Sequence, residues 1–373
     1  MGITSSRGRA AAPRRALRTR VAAAALAACC IATLAACGSS GSSGSSSGGS
    51  VGIALILKTL SNPYFVSMEQ DAKTEAAKDN VSLTVSAGSS DGDTQTQITA
   101  IDDAISRGDK GILITTNGNA VNAALNQAKQ AGLYVVALDT APTPASTADI
   151  TYATDNTAAG KLDGQYAAAA LQGKAAVIAM LDLYNNQVVS VDVDRDHGFL
   201  QGFGIDPGNP NENGQEAKSG HYTGGSGGSY TIACHQPTQG AVDGGRTAME
   251  DCLSANPNIN VVYAINEPAA EGAYAALQAA GKTSIPVYAI DGSCAGLKYV
   301  ASGEFAADAV QYPGKMASLG LDAIAKLARG GSKPSVTQGL SFYNTGTALV
   351  AKTPMTGVTS ETPAQGASQC WGS

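Results

Sequence analysis

Residues 51–65 read VGIALILKTLSNPYF, and the change of period inside this stretch decides the fold. The run from Val51 to Leu57 is apolar or small throughout and short, which suits a strand covered on both faces better than a buried helix. A polar segment, KTLSN, follows. Pro63 then stands where the first turn of a helix accepts proline, with Asn62 before it as a candidate cap. Strand, turn and helix make one βα unit, and the unit repeats. VSLTVSA (81–87), GILITT (111–116) and YVVALDT (134–140) read as further buried strands, and helical spacing is found at about 63–79, 94–107 and 119–131. After ADITYATDN (148–156) the rhythm restarts, with a helix at 157–172, AAVIAMLD (175–182) and a helix near 195–204. A Gly/Asn/Pro-rich excursion at 205–229 reads as a surface loop. YTIACHQ, a helix at 242–254, NVVYAIN, a helix at 268–280, VYAID and FAADAVQ complete the series. The chain is therefore α/β, with two doubly wound lobes of similar size.

Upstream of Val51 nothing has the pattern of a packed core. Six of the first twenty residues are arginine, and residues 21–36 are almost wholly small and apolar. A basic head before a short apolar run reads as an export signal, since a spanning helix needs about 20 apolar residues. The run ends in LAAC (34–37), and thirteen Gly and Ser residues follow Cys37 as a flexible leash. Removal of residues 1–36 leaves 18 basic against 30 acidic residues, a formal charge of −12. So acidic a surface excludes nucleic acid as a partner. Beyond Cys37 four cysteines remain, Cys234, Cys252, Cys294 and Cys370, and an even number without metal-ligand spacing in an exported chain reads as disulfides. His197, His221 and His235 also lack ligand spacing, so no metal or other cofactor is expected.

Open α/β sheets bind ligands beyond the carboxyl ends of their strands. The polar residues there are Asn62, Thr115, Asn117, Asp139, Asn266 and Asp291. Each has a plain alternative: Asn62 and Asn266 as helix caps, Asp139 as a loop residue, Asp291-Gly292 as a turn pair. Their recurrence at matching strand ends in both lobes favours a cleft that binds hydroxyl groups. Both carboxylates are expected to be ionised so as to accept hydroxyl protons, and a glycosidase acid pair is disfavoured. No nucleophile-elbow, zinc-protease or phosphate-loop motif points to an enzyme.

LSNPYFVSM (60–68), DGDTQTQITAIDDAISRGDKGILIT (91–115), VVALDT (135–140), ATDNTAAG (153–160), RDHGFLQGF (195–203), GGRTAMED (244–251), INEPAAEGAYAALQAAGK (265–282), AIDG (289–292) and QYPGKMASLG (311–320) occur in this order. Together they resemble the sugar-binding proteins of bacterial ABC importers, the type I periplasmic-binding-protein fold. INEPAA, DGSCAG (291–296) and the terminal CWG (370–372) are closer still to its fructose-binding branch. LAAC resembles the lipobox of bacterial lipoproteins, which implies a signal peptide over 1–36, a lipidated Cys37 and a linker to residue 50.

The resemblance implies two Rossmann-like lobes joined by a hinge. Residues 51–154 and 312–339 would form the N-terminal lobe, and 155–311 and 340–373 the C-terminal lobe, with crossings near 155, 311 and 340. Asn62, Tyr64 and Phe65 match the family's first-strand polar and stacking residues, Asp139 the acid that grips adjacent sugar hydroxyls, Asn266 and Asp291 the second lobe's amide and acid, and Gln311 the residue beside the hinge. Ribose binders carry two arginines where this chain has Thr140 and Val193, and a small hydroxyl where it has Lys58. This argues against ribose and leaves Lys58 and Arg195 as partial replacements; which of Asp192, Asp194 and Arg195 faces the cleft stays open. The pairs Cys234–Cys252 and Cys294–Cys370 follow from the same resemblance. The implied protein is a monomeric lipoprotein on the outer face of the cell membrane. It would hand a monosaccharide, with fructose the best candidate, to an ABC permease, or present its bound form to a sensor kinase or chemoreceptor.

Overall fold

The computed structural model describes residues 49–372; the expected signal peptide, Cys37 and most of the Gly/Ser linker lie outside the described residues. Elements run in the order β1 (Val51–Leu57), α1 (Pro63–Lys78), β2 (Val81–Ala87), α2 (Thr94–Arg107), β3 (Gly111–Ile114), α3 (Asn122–Gln130), β4 (Tyr134–Leu138) and β5 (Ile150–Ala153). They continue with α4 (Asn156–Leu171), β6 (Ala176–Asp182), α5 (Ser190–Phe203), β7 (Ser219–Tyr222), β8 (Gly228–Pro237), α6 (Val242–Ala255), β9 (Val261–Ala264) and α7 (Glu267–Ala279). The last are β10 (Val287–Asp291), α8 (Cys294–Ser302), β11 (Ala307–Val310), α9 (Pro313–Ala328), β12 (Tyr343–Asn344), β13 (Ala348–Ala351) and α10 (Pro363–Gly366).

These strands form two sheets, ordered β12-β5-β4-β3-β1-β2 and β13-β11-β10-β9-β6-β8-β7. The parallel cores of both follow the order 2-1-3-4-5 in their own numbering. The direction of winding therefore reverses beside β1 in one lobe and beside β6 in the other, and loops splay apart at those points to leave a crevice. Each sheet is covered on both faces, because its strands are continuously apolar. Ile53, Leu55 and Leu57 of β1 face a cluster that includes Met68 of α1 and Met316, Leu321 and Ile324 of α9, whereas Ala54 and Ile56 face Ile101 of α2 and Leu125 of α3.

The last chain crossing, expected near residue 340, comes a few residues later, since Tyr343–Asn344 pairs in parallel with Tyr152–Ala153 of the first sheet. The return to the second sheet falls at 345–347, just before β13 joins β11 antiparallel. Two smaller expectations also change. The excursion at 205–229 is not all loop, since β7 folds back antiparallel on β8. And α5 begins at Ser190 rather than near 195, because Asp192 turns inward and accepts from the backbone N–H groups of Leu183 (2.9 Å) and Tyr184 (3.1 Å).

Helices α4 and α5 cross with almost no space between their backbones. A Cβ added at Gly164 would lie 2.0 Å from the carbonyl oxygen of Phe199, at Gly160 2.1 Å from that of Arg195, and at Gly202 2.2 Å from that of Lys161. Glycine spaced four apart on both helices is thus a packing requirement, and it sets the height of Arg195. The disulfides are Cys234–Cys252 and Cys294–Cys370. Their sequence separations of 18 and 76 correspond to about 3 and 4.5 kcal/mol in the chain-entropy model. The second ties the C-terminal tail to the start of α8, where Cys294 N donates to the Trp371 carbonyl at 2.8 Å. Among the described residues no helix is long and apolar enough to cross a membrane.

Candidate functional site

The carboxyl ends of β1, β4, β6, β9 and β10 converge on one cavity between the two sheets. It is lined by Lys58, Asn62, Tyr64, Phe65, Asp91, Asp139, Leu183, Val191, Arg195, Ile265, Asn266, Asp291 and Gln311, and the free space they enclose is about 30 Å³, about the share of one water molecule. The closed lobes thus fill most of the crevice with their own side chains. Nine of the eleven residues singled out for a ligand site are on its wall. The other two hold the loop that presents Lys58: Thr115 Oγ1 accepts from Lys58 N at 2.8 Å and the Thr115 carbonyl from Gln97 Nε2 at 2.7 Å, while Asn117 Nδ2 donates to the Lys58 carbonyl at 3.2 Å.

Asn62 and Asn266 are both caps and cavity residues. Asn62 Oδ1 accepts from Tyr64 N at 2.9 Å and Asn266 Oδ1 from Ala269 N at 3.0 Å, which starts α1 and α7 with their amides at the crevice. Asp139 has φ of +62°, in the left-handed region that Asp and Asn enter more readily than other side chains, and this turns its carboxylate into the cavity as β4 ends. Around it stand Lys58 Nζ at 3.8 Å, Arg195 Nη2 at 3.8 Å, the Tyr64 hydroxyl at 3.2 Å and the Thr140 hydroxyl at 2.8 Å.

Arg195 is the member of the 192–195 charge run that faces the cavity; Asp192 is spent on the backbone of β6's end, as described. Arg195 is itself fixed within its own lobe, with Nε donating to Asn156 Oδ1 at 2.8 Å and Nη1 to the Ile265 carbonyl at 3.0 Å. Its guanidinium then spans the two acids, 3.8 Å from Asp139 in the first lobe and 4.0 Å from Asp291 in the second. Gln311, at a chain crossing, makes a second bridge: Nε2 donates to Asp291 Oδ1 at 2.6 Å while Oε1 is 3.3 Å from the Tyr64 hydroxyl. The lobes are closed on one another, and Ser190 Oγ donates to the Ala141 carbonyl across the gap at 2.9 Å.

Aromatic side chains shape the cavity from behind. The Tyr64 ring meets Phe65 and Trp371 edge-on at 5.3 and 5.4 Å, so its hydroxyl rather than its face points at the acids. Lys58 Nζ sits 5.8 Å from the Phe65 ring centroid, a cation held over an aromatic face. Trp371 Nε1 donates to the Asp291 carbonyl at 3.0 Å, which brings the tail's second disulfide to bear on the site.

Enclosure changes the acids. Burial pushes the Asp291 carboxyl up to about 8, with Arg195 pulling against it and Glu267 adding to it. This corrects the ionised carboxylate expected from the sequence, because enclosure in the closed cleft disfavours the charged form. Behind it Asp308, whose Oδ1 accepts from Asp291 N at 3.0 Å, is pushed by burial to about 7. Asp91 is a wall residue that the strand-end argument missed, because it sits in the turn before α2. Burial raises it to about 6 against the attraction of Lys58, and its Oδ1 is buried with no hydrogen-bond partner. Leu183, Val191 and Ile265 supply the apolar part of the wall, and no polar signal marks them in sequence.

Two lobes of matched topology, closing on a polar cavity at both reversal points, define a hinged ligand-binding protein. The chain belongs to the periplasmic binding protein family: the family model described as a periplasmic binding protein domain matches residues 53–332. The ribose import binding protein RbsB of Salmonella typhimurium is 30% identical over 279 residues, covering 74% of this chain and 85% of that one. The D-allose-binding periplasmic protein of Escherichia coli is 25% identical over 277 residues, 72% of this chain and 81% of the relative. Among solved structures, an ABC transporter solute-binding protein from Mycobacterium smegmatis with bound glycerol is 27% identical, with a TM-score of 0.68 over 84% of this chain and all of the other. One from Actinobacillus succinogenes with bound D-allose is 25% identical, with a TM-score of 0.66 over 81% and 98%. Family membership makes this chain an extracytoplasmic solute-binding protein of an ABC transporter and not an enzyme.

Proposed function

We propose that the chain captures one monosaccharide between its lobes and delivers it to an ABC permease while anchored to the membrane by lipid on Cys37. The observation that carries the reading is the convergence of Asp91 and Asp139 from one lobe with Asp291 and Arg195 from the other on one small enclosed cavity. A carboxylate accepts from two adjacent hydroxyls at once, and such charge-assisted bonds are worth about 1.5–3 kcal/mol each. The unpartnered Asp91 Oδ1 is a further acceptor suited to a hydroxyl proton. Lys58, Asn62, Asn266 and Gln311 supply donors. The relatives named for ribose and allose support a sugar as the solute. Fructose is the favoured candidate, because Thr140 and Val193 leave out two arginines of the ribose binders and Trp371 of the CWG tail buttresses Asp291.

A thermal-shift screen against monosaccharides tests this. At 100-fold excess over Kd a ligand of the folded state stabilises by about 2.7 kcal/mol, so fructose or a close ketose should raise Tm by several degrees and ribose should not. A panel in which no monosaccharide shifts Tm would contradict the reading. The anchor is tested separately: Cys37→Ser should appear in the soluble fraction or remain unprocessed, and a normally processed mutant wholly in membranes would count against lipidation.

A further inference from the structure

Below the cleft, on the side of the second sheet that carries the 205–218 excursion, a compact group of ionisable side chains plays no part in lining the ligand cavity. Asp182 ends β6, Asp196 lies on α5, His235 on β8, and Glu216 in the excursion just before β7. His235 Nδ1 is 2.7 Å from Asp182 Oδ2 and 4.0 Å from Asp196 Oδ2, and one ligand atom from each of the three residues lies within 4.8 Å of the others. The other ring nitrogen, Nε2, is 2.8 Å from Glu216 Oε1.

Asp196 is fully buried, yet neither of its carboxylate oxygens has a hydrogen-bond partner, and Asp182 Oδ1 and Glu216 Oε2 are likewise unpartnered. Nearby His197 offers little relief: its Nε2 is 3.9 Å from Asp196 but lies 3.1 Å from the Glu212 carbonyl. Three acids therefore crowd one imidazole, and a buried carboxylate without a donor is costly unless a cation meets it. The histidine is oriented as metal-bound histidines are, one nitrogen toward the acids and the other hydrogen-bonded to a carboxylate that fixes the ring.

We propose that Asp182, Asp196 and His235 bind one divalent transition-metal ion of the zinc class, with Glu216 orienting His235 from behind. An imidazole among two carboxylates suits zinc or its neighbours rather than calcium, which takes six to eight oxygens. Ligands at about 2.0–2.2 Å around one tetrahedral ion stand roughly 3.3–3.6 Å apart, so the 2.7 Å pair would part and the 4.0 Å pair close, each by about half an ångström or more. The His235 side chain is 21% exposed, which leaves an approach from solvent. Sequence spacing could not reveal the set, since its ligands come from β6, α5 and β8. The ion would pin the excursion through Glu216 and fix α5, whose residue next to Asp196 is the cavity's Arg195.

The test uses the untagged protein, dialysed against chelator and titrated with zinc chloride by calorimetry, with manganese and nickel as comparisons. One ion should bind per chain at micromolar Kd or tighter and raise Tm. Asp196→Asn, nearly isosteric, should weaken binding by at least tenfold, and Glu216→Gln by about 10- to 100-fold, as expected when the outer partner of a ligating histidine is lost. Circular dichroism checks that the variants fold, and Glu216→Gln carries the test if Asp196→Asn does not. Absence of saturable binding in the wild type at up to about millimolar metal overturns the proposal. So does wild-type affinity in the folded variants, which would place the ion on the surface.

Discussion

Replacing Arg195 with Met should destabilise the closed protein more at high pH than at low. The guanidinium makes two hydrogen bonds inside its lobe, at 2.8 Å to Asn156 and 3.0 Å to the Ile265 carbonyl, and lies 3.8 and 4.0 Å from two buried carboxylates. Removing one member of a buried ionic network costs about 3–5 kcal/mol, because the remaining charges and acceptors stay buried without it. At roughly 2–4 °C per kcal/mol for a chain of this size, Tm should fall by about 6–20 °C. The pH dependence follows from Asp291, whose carboxyl stands at about 8 with Arg195 pulling it down. Without Arg195 it rises further, so at pH 9 the variant must protonate or bury an unpaired charge, whereas at pH 6 it is already neutral in both proteins. Arg195→Lys, which keeps the charge and loses the fork, should fall between. The assay is thermal or urea unfolding at the two pH values. A cost within about 1 kcal/mol for Arg195→Met at both would refute the role of the guanidinium as the tie between the acids.

Two other outcomes follow from the same geometry. Burial holds Asp291 at about 8, Asp308 at about 7 and Asp91 at about 6, all above an ordinary carboxylate near 4, so the folded chain binds more protons than the unfolded chain in between. Their contribution to stability is complete below pH about 4 and is lost as pH rises to about 8; melts at pH 5 and 8 in matched salt should show the lower Tm at pH 8, and the reverse order would count against it. Gly164→Ala, whose Cβ would fall 2.0 Å from the Phe199 carbonyl oxygen, should force α4 and α5 apart and cost about 3 kcal/mol or more; an unchanged Tm would show that the helices have room.

The βα rhythm was legible because continuously apolar strands and punctuated helices differ in period, and period survives without any knowledge of contacts. The site was legible for a related reason. Strand ends are where a doubly wound sheet must put its ligand groups, so Asp139, Asn266 and Asp291 could be singled out from their position after an apolar run. What escaped depends on the third dimension. Asp91 follows no strand directly and reaches the cavity through a turn, and Thr115 stands at a strand end but points beneath the loop it supports. The raised carboxyl of Asp291 reflects enclosure by residues distant in sequence. The short strands β7 and β12 exist only because a neighbour offers them an edge, so nothing in their own composition marks them.

The central claim is that opposed acids in the two lobes grip one sugar. Calorimetry with the monosaccharide found in the screen should be run on the wild type, on Asp139→Asn, which keeps the left-handed backbone at φ of +62°, and on Asp291→Ala. Each loss leaves sugar hydroxyls unpaired in a closed cavity and should cost roughly 2–4 kcal/mol, a rise in Kd of about 30- to 1000-fold, with the unliganded fold intact. Near-wild-type affinity in both variants would contradict the account and place the ligand outside this cavity.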